Sequence, residues 1–173
     1  EIVAVGRDTA LVLPDGRVDG VRLGGPVELL GPATLSPDMS WIGRIIDPFG
    51  NALDGKTIVQ GTTPPAFRAP PQPSAERRGL GPRLATGTTA FDTLLPLVRG
   101  QRIGLFAGSG VGKSSLLAKF ARGVQADVVV IALIGERGRE VGEFVRHTLG
   151  NAGMARSVVV TATSDQPALM RRR

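Results

Sequence analysis

Apolar and polar positions follow three different patterns along the chain. Over residues 1–59 they form short runs of alternating character cut by turn residues. Residues 1–5 and 9–13 alternate, Pro14-Asp15-Gly16-Arg17 has turn chemistry, and residues 18–23 follow as another run. Gly24-Gly25-Pro26 breaks the chain before residues 27–30, and residues 41–46 lead into the turn Asp47-Pro48-Phe49-Gly50-Asn51. Several short strands at this spacing predict a small β-barrel, or part of one. They are too few to close a sheet, so further strands are expected ahead of Glu1.

Residues 61–82 carry Pro64, Pro65, Pro70, Pro71, Pro73 and Pro82, which forbid a regular ladder and favour extended backbone. From Thr86 onward the period changes. Residues 90–95 read as a short helix with Thr88 or Thr89 as cap. Ile103, Leu105 and Phe106 read as a short buried strand, and residues 115–121 as helix stopped by Gly123. Residues 127–134 are β-branched and apolar almost throughout, as expected of a strand covered on both faces. Val141, Phe144, Val145 and Thr148 have helical spacing up to Gly150-Asn151. Residues 157–162 form a third strand, and Ser164 or Asp165, with Pro167 in the first turn, opens a last helix. Strand, helix, strand, helix, strand predicts a parallel α/β core that is cut short. The expected organisation is a partial barrel over residues 1–60, a linker over 61–84 and an α/β unit over 85–173.

Composition narrows the classes. The 173 residues include no cysteine, which excludes disulfides and thiolate metal sites and fits a reducing compartment. No apolar run approaches the roughly 18 residues of a membrane span. The formal charge is +6 but unevenly placed: residues 1–60 hold five basic and eight acidic side chains, 61–102 six and two, 103–173 ten and five. Positive charge thus gathers near the glycine-rich loop described below. With 4% aromatics and no tyrosine, a stacking surface for nucleic acid is disfavoured.

The candidate chemistry lies in Ala107-Gly108-Ser109-Gly110-Val111-Gly112-Lys113-Ser114, a P-loop in all but its first residue, set between strand and helix. Backbone amides from Gly110 to Ser114 and the positive helix end suit a β-phosphate, with glycines leaving room for the approach. Lys113 is expected to bridge β- and γ-phosphates, and the Ser114 hydroxyl to ligate Mg²⁺. Ser115 is a candidate for the α-phosphate. After the next strand comes Gly135-Glu136-Arg137-Gly138-Arg139-Glu140. Ligands of open α/β sheets sit beyond the carboxyl ends of the strands, so Glu136 is placed to orient or deprotonate an attacking water. Spacing alone equally fits a charged helix entrance. His147 follows Glu143 by one turn and reads as an exposed ion pair.

The runs GQRIGLFAGSGVGKSSLLAKFAR (Gly100–Arg122) and VVVIALIGERGREVGEFV (Val128–Val145) closely resemble the flagellum-specific and type III secretion export ATPases, relatives of the catalytic subunit of rotary ATP synthases. WIGRIIDPFGNALDGK (Trp41–Lys56) looks like that family's join between N-terminal barrel and ATPase core, and SDQPALMRRR fits its next helix. The resemblance implies a RecA-like P-loop core. It implies ATP and Mg²⁺ as ligands, contacted by Gly108, Ser109, Gly110, Val111, Gly112, Lys113, Ser114 and Ser115. Glu136 would be the catalytic carboxylate and Arg137 would sit at the γ-phosphate side or a subunit interface. Glu140 would lie in the hydration shell of Mg²⁺.

The same resemblance implies a cytoplasmic homohexamer, peripheral at the inner membrane, working with export-gate, stator and chaperone proteins on exported proteins. A synthase catalytic subunit and an RNA-translocating hexameric motor are the competing readings. Ala107 with GERGREV favours the export family over the first, and sparse aromatics argue against the second. The magnesium-side Asp, arginine finger and adenine pocket of the family would lie past Arg173, so negligible hydrolysis is expected of this polypeptide alone.

Overall fold

The computed structural model describes residues 1–172 except 15, 17, 23, 30, 32, 33, 63–70 and 109. Its centre is a three-stranded parallel sheet in the order β3-β7-β6, made of β3 (Ile45–Ile46), β6 (Val129–Ile134) and β7 (Ser157–Ala162). Strands β6 and β7 pair along their whole length, from Val129↔Ser157 to Ile134↔Ala162, and Ile45↔Val159 sets the register of β3. Residues 45 and 46, expected within the first unit, thus add a strand to the sheet of the last one.

One sheet face is covered by helix α2 (Lys113–Gly123) and by a second helical run. That run starts as α3 (Gly138–Glu143), widens into a π-helical turn (Phe144–Leu149) and ends as α4 (Gly150–Met154). Ala118 and Ala121 of α2 meet Ile131, Leu133, Val141, Phe144, Leu149 and Val159 in one buried cluster. Small residues on α2 let the helix lie close to the sheet, and the larger side chains of the second run fill the remainder. The expected helix end at Gly150-Asn151 is not observed. Gly150 takes φ +65°, open to glycine without strain, and the helix resumes to Met154.

The opposite face is only partly covered. Trp41, Ile46 and Val158 are buried there, and the Trp41 indole donates to the Val59 carbonyl at 2.5 Å. Val130 is 67% and Ile134 43% exposed, however, so β6 is covered on one face, not both as its composition predicts.

The remaining strands form two small antiparallel pairs, β1 (Ile2–Val5) with β2 (Ala10–Val12), and β4 (Arg83–Leu84) with β5 (Leu97–Val98). The first pair matches the alternation read at residues 1–13. The expected strands at 18–23 and 27–30 are absent among the described residues; Leu23 and Leu30 lie outside them, as do Asp15 and Arg17 of the expected turn. Val18, Val21, Val27 and Leu29 are all more than half exposed, so this stretch has no second layer against which an alternating strand could bury one face.

The largest difference falls just before the P-loop. Residues 101–108 form no strand and are exposed throughout, with Phe106 at 95%. A parallel strand is held by ladder bonds to neighbours, and no strand among the described residues pairs with this stretch. Its apolar run therefore stays as irregular chain.

Candidate active site

Helix α2 starts at Lys113 because Gly112 occupies the capping position in left-handed geometry, φ +96°. No side chain caps this end, so the first-turn N–H groups point outward toward any anion that enters. Gly110, also left-handed at φ +79°, bends the preceding loop. Glycine is required at both for backbone reasons, since an ideal Cβ on either would meet no atom within 4 Å.

The loop and the start of α2 form one wall of a cleft of about 600 Å³. Ala107, Gly108, Gly110, Gly112, Lys113, Ser114 and Ser115 line that wall. The other wall is Glu136, at the turn after β6, followed by Glu140, Glu143, Phe144 and Thr148. Glu136 arrives there because β6 ends at Ile134 and Gly135, φ +77°, turns the chain over the sheet edge. Glu140 and Glu143 are one turn apart on α3, hence on one face.

The structure thus brings together most of the residues singled out in the sequence. Val111 is 67% exposed and does not line the cleft. Ser109 lies outside the described residues. Arg137 points to solvent and pairs with Glu140 at 3.0 Å, with side-chain exposures of 76% and 42%. Glu143 and Thr148 were not anticipated as cleft residues; the three-residue step from Glu140 was the available signal for the first. No ion pair joins Glu143 to His147 among the described residues, and the π-helical turn begins between them.

The approach to α2 is locked by a separate polar cluster. Asp92 accepts bonds from the Thr86 amide at 2.8 Å and the Thr86 hydroxyl at 2.9 Å. These bonds, the amide first, hold the Asp92 carboxyl below the usual carboxylate range. Thr88 occupies the capping position of α1 (Thr89–Thr93) as expected, but its side chain makes no capping bond. The loop then passes so close to the end of α2 that a Cβ on Gly123 would lie 2.6 Å from the Thr86 carbonyl oxygen. Phe91 meets Phe120 of α2 edge-on, with ring centroids 4.8 Å apart.

A parallel sheet with a glycine-rich loop, a bare helix N-terminus and facing carboxylates describes a nucleotide-binding α/β domain. The ATP synthase alpha/beta family, nucleotide-binding domain, matches residues 87–173, and the chain belongs to this family. It is similar to the flagellum-specific ATP synthase of Caulobacter vibrioides, with 47% identity over 99% of the chain and 39% of that protein. It is likewise 43% identical to the type 3 secretion system ATPase of Xanthomonas euvesicatoria, over 99% of the chain and 39% of that protein. Among solved structures it resembles the assembled ATPase EscN in complex with its central stalk EscO, from the type III secretion system of enteropathogenic E. coli. There the TM-score is 0.90 at 37% identity, covering 99% of this chain and 42% of that one. The chain spans about two fifths of the length of the curated relatives it matches.

Proposed function

We propose that this polypeptide is the nucleotide-binding part of a hexameric ATPase that drives export of flagellar or type III secretion proteins. The observation that carries the reading is the cleft, where a bare helix N-terminus with Lys113 and Ser114 faces Glu136 across the strand ends. In this reading residues 85–173 are the first part of a RecA-like P-loop core, residues 1–60 part of a small barrel, and 61–84 the linker.

Lys113 supplies the one lysine of the cleft, against three carboxylates from Glu136, Glu140 and Glu143. A triphosphate entering that field is repelled unless a cation comes with it. The Ser114 hydroxyl and the carboxylates are hard oxygen donors, and no group of three or more metal-binding side chains occurs among the described residues. That donor set fits Mg²⁺, which favours one or two protein oxygens together with phosphates and waters. Bound there, the ion supplies neutralising charge to the phosphates. Ser114 and Glu140 would hold it, the latter through water.

The residues divide the remaining work. Amides of Gly110–Ser114 orient the β-phosphate, and Lys113 draws charge onto the γ-phosphate as the bond to it breaks. Glu136 accepts the proton of the attacking water. Arg137 is exposed and held by Glu140, which suits a group that reaches a γ-phosphate or a neighbouring subunit once that pair opens. The flagellum-specific and type 3 secretion relatives support the export role, and the assembled EscN, alone and with its central stalk EscO, supports an oligomer with a stalk partner; six subunits, an export gate and chaperones complete the reading. No described helix is long and apolar enough to cross a membrane. A cytoplasmic enzyme peripheral at the inner membrane is part of the same reading.

Fluorescent ATP titration, with and without Mg²⁺, tests the site. Binding should need the ion and fall at least tenfold in Lys113→Ala, with Glu136→Gln retaining it. In the hexamer Glu136→Gln should abolish turnover. Mg²⁺-independent binding, or tight binding by Lys113→Ala, would overturn the assignment.

A further inference from the structure

The C-terminal end of α2 is held by two arginines that belong to neither wall of the cleft. Arg156 stands just before β7. Its guanidinium donates to the carbonyls of Arg122 at 3.3 Å and Val124 at 2.9 Å, and also to that of Ala126. Its own carbonyl accepts from the Val129 amide at 2.9 Å, the first residue of β6. One side chain therefore binds the end of α2 and the connection that follows, while its backbone binds the start of β6.

Arg122 continues the chain of contacts sideways. Its side chain donates to the carbonyls of Thr148 and, at 3.5 Å, Leu149, in the π-helical turn whose Phe144 and Thr148 line the cleft. Its Cγ also lies beside Gly153 of α4, where a Cβ would be 3.3 Å away. Carbonyls at a helix C-terminus have no intrahelical partner and carry partial negative charge, so cations there satisfy both. An ordinary cap would end with α2. These two residues join three elements: the helix bearing Lys113 and the helical run bearing Glu140 through their side chains, and the strand leading to Glu136 through the Arg156 carbonyl.

We propose that Arg122 and Arg156 are positioning residues, a brace that fixes α2 axially against β6 and the 138–154 helical run and so sets the width of the cleft. Helix and strand act as stiff rods tied at the end opposite the site, so slippage at the tie appears as displacement between Lys113 and Glu136. The proposal rests on the nucleotide-site reading above.

The chain has no native cysteine, so introduced Leu117→Cys and Arg139→Cys accept spin labels without background. The distance between them reports the spacing of α2 and α3. In Arg156→Gln and Arg122→Gln the distance distribution should broaden or shift, and ADP affinity should fall about tenfold. Arg156→Lys keeps the charge but puts all its donors on one nitrogen, which cannot span the carbonyls that two guanidinium nitrogens reach, and should lie between. Thermal midpoints are measured alongside. Variants that lose thermal stability yet keep the native distance distribution and ADP affinity would show ordinary helix caps and overturn the brace. If Arg156→Gln does not fold, Arg122→Gln and Arg156→Lys decide the matter by the same two readouts. Absence of nucleotide binding in the unsubstituted chain would strike at the site reading, whereas the distance distributions judge the brace independently.

Discussion

Replacing Gly112 with alanine separates the backbone requirement of the loop from its need for space. Gly112 has φ +96°, and a Cβ there would meet no atom within 4 Å. The substitution therefore introduces no clash with the protein, and its whole effect comes from forcing an L-residue into left-handed geometry, about 1–2 kcal/mol. The loop around it is exposed, so without ligand the chain can relax toward ordinary φ at little loss of fold stability. Nucleotide binding then has to restore the left-handed cap that aims the first-turn amides. The 1–2 kcal/mol reappears as ADP affinity weakened about 5- to 30-fold. Gly108→Ala is the control, because Gly108 has no positive φ and an equally open surrounding. Fluorescent ADP titrations of the three proteins, with thermal midpoints to confirm equal folding, provide the assay. Equal affinity for Gly112→Ala and the parent, or equal losses for both alanine variants, would refute the claim that the left-handed cap builds the anion site.

Two further outcomes concern the fold that carries the site. Asp54 accepts from Arg44 Nε at 2.6 Å and Nη2 at 2.7 Å, and this guanidinium, first among its partners, holds the carboxyl far below the usual range. A carboxyl depressed in the folded state stabilises above its unfolded pKa of about 3.9 and loses that contribution as pH falls below it, so the urea midpoint should drop on acidification and drop less in Asp54→Asn; parallel pH profiles would contradict this. Thr161 of β7 is 5% exposed and its hydroxyl has no hydrogen-bond partner, so Thr161→Val should raise unfolding free energy by about 1 kcal/mol in urea titration, and a loss would show that the hydroxyl is satisfied in solution.

The elements whose signals are local were legible in the sequence. α2 follows from a run of helix formers stopped by Gly123, β7 from a β-branched run of the observed length, and β6 from one that begins two residues earlier than the strand does. The placing of Glu136 was legible for a related reason, because a turn after a strand has only one rim on which to place its side chains, and the glycine-rich loop was legible from its own residues and the helix formers after it. Features that depend on partners were not. The apolar run before the P-loop gives strand propensity, but pairing requires a neighbour, and here Ile103, Leu105 and Phe106 stay exposed. The covering of β6 failed for the same reason, since composition records what a strand could bury and not which layers pack on it. Helical spacing from Val141 to Thr148 does not distinguish an α from a π register, so the entry of Thr148 into the cleft was hidden. Arg156 and the carbonyls it binds are 30 to 34 residues apart, a separation at which no periodicity carries information.

These differences bear on how the glycine-rich loop is held in place. The usual picture fixes a P-loop by the buried strand that precedes it, yet here that stretch makes no ladder contact. The loop is fixed from its other side. Gly112 starts α2, Ala118 and Ala121 seat the helix on the sheet at 0% and 2% exposure, and Thr86 with Gly87 closes on its far end. Anchoring through the helix alone leaves the loop one free side, which accounts for a glycine-rich loop whose described residues are all exposed while the helix behind them is buried at its core-facing positions. It also separates two properties that a paired strand would merge. The direction of the first-turn amides belongs to α2 and its glycine cap, and the distance from that cap to Glu136 belongs to whatever holds α2 against β6.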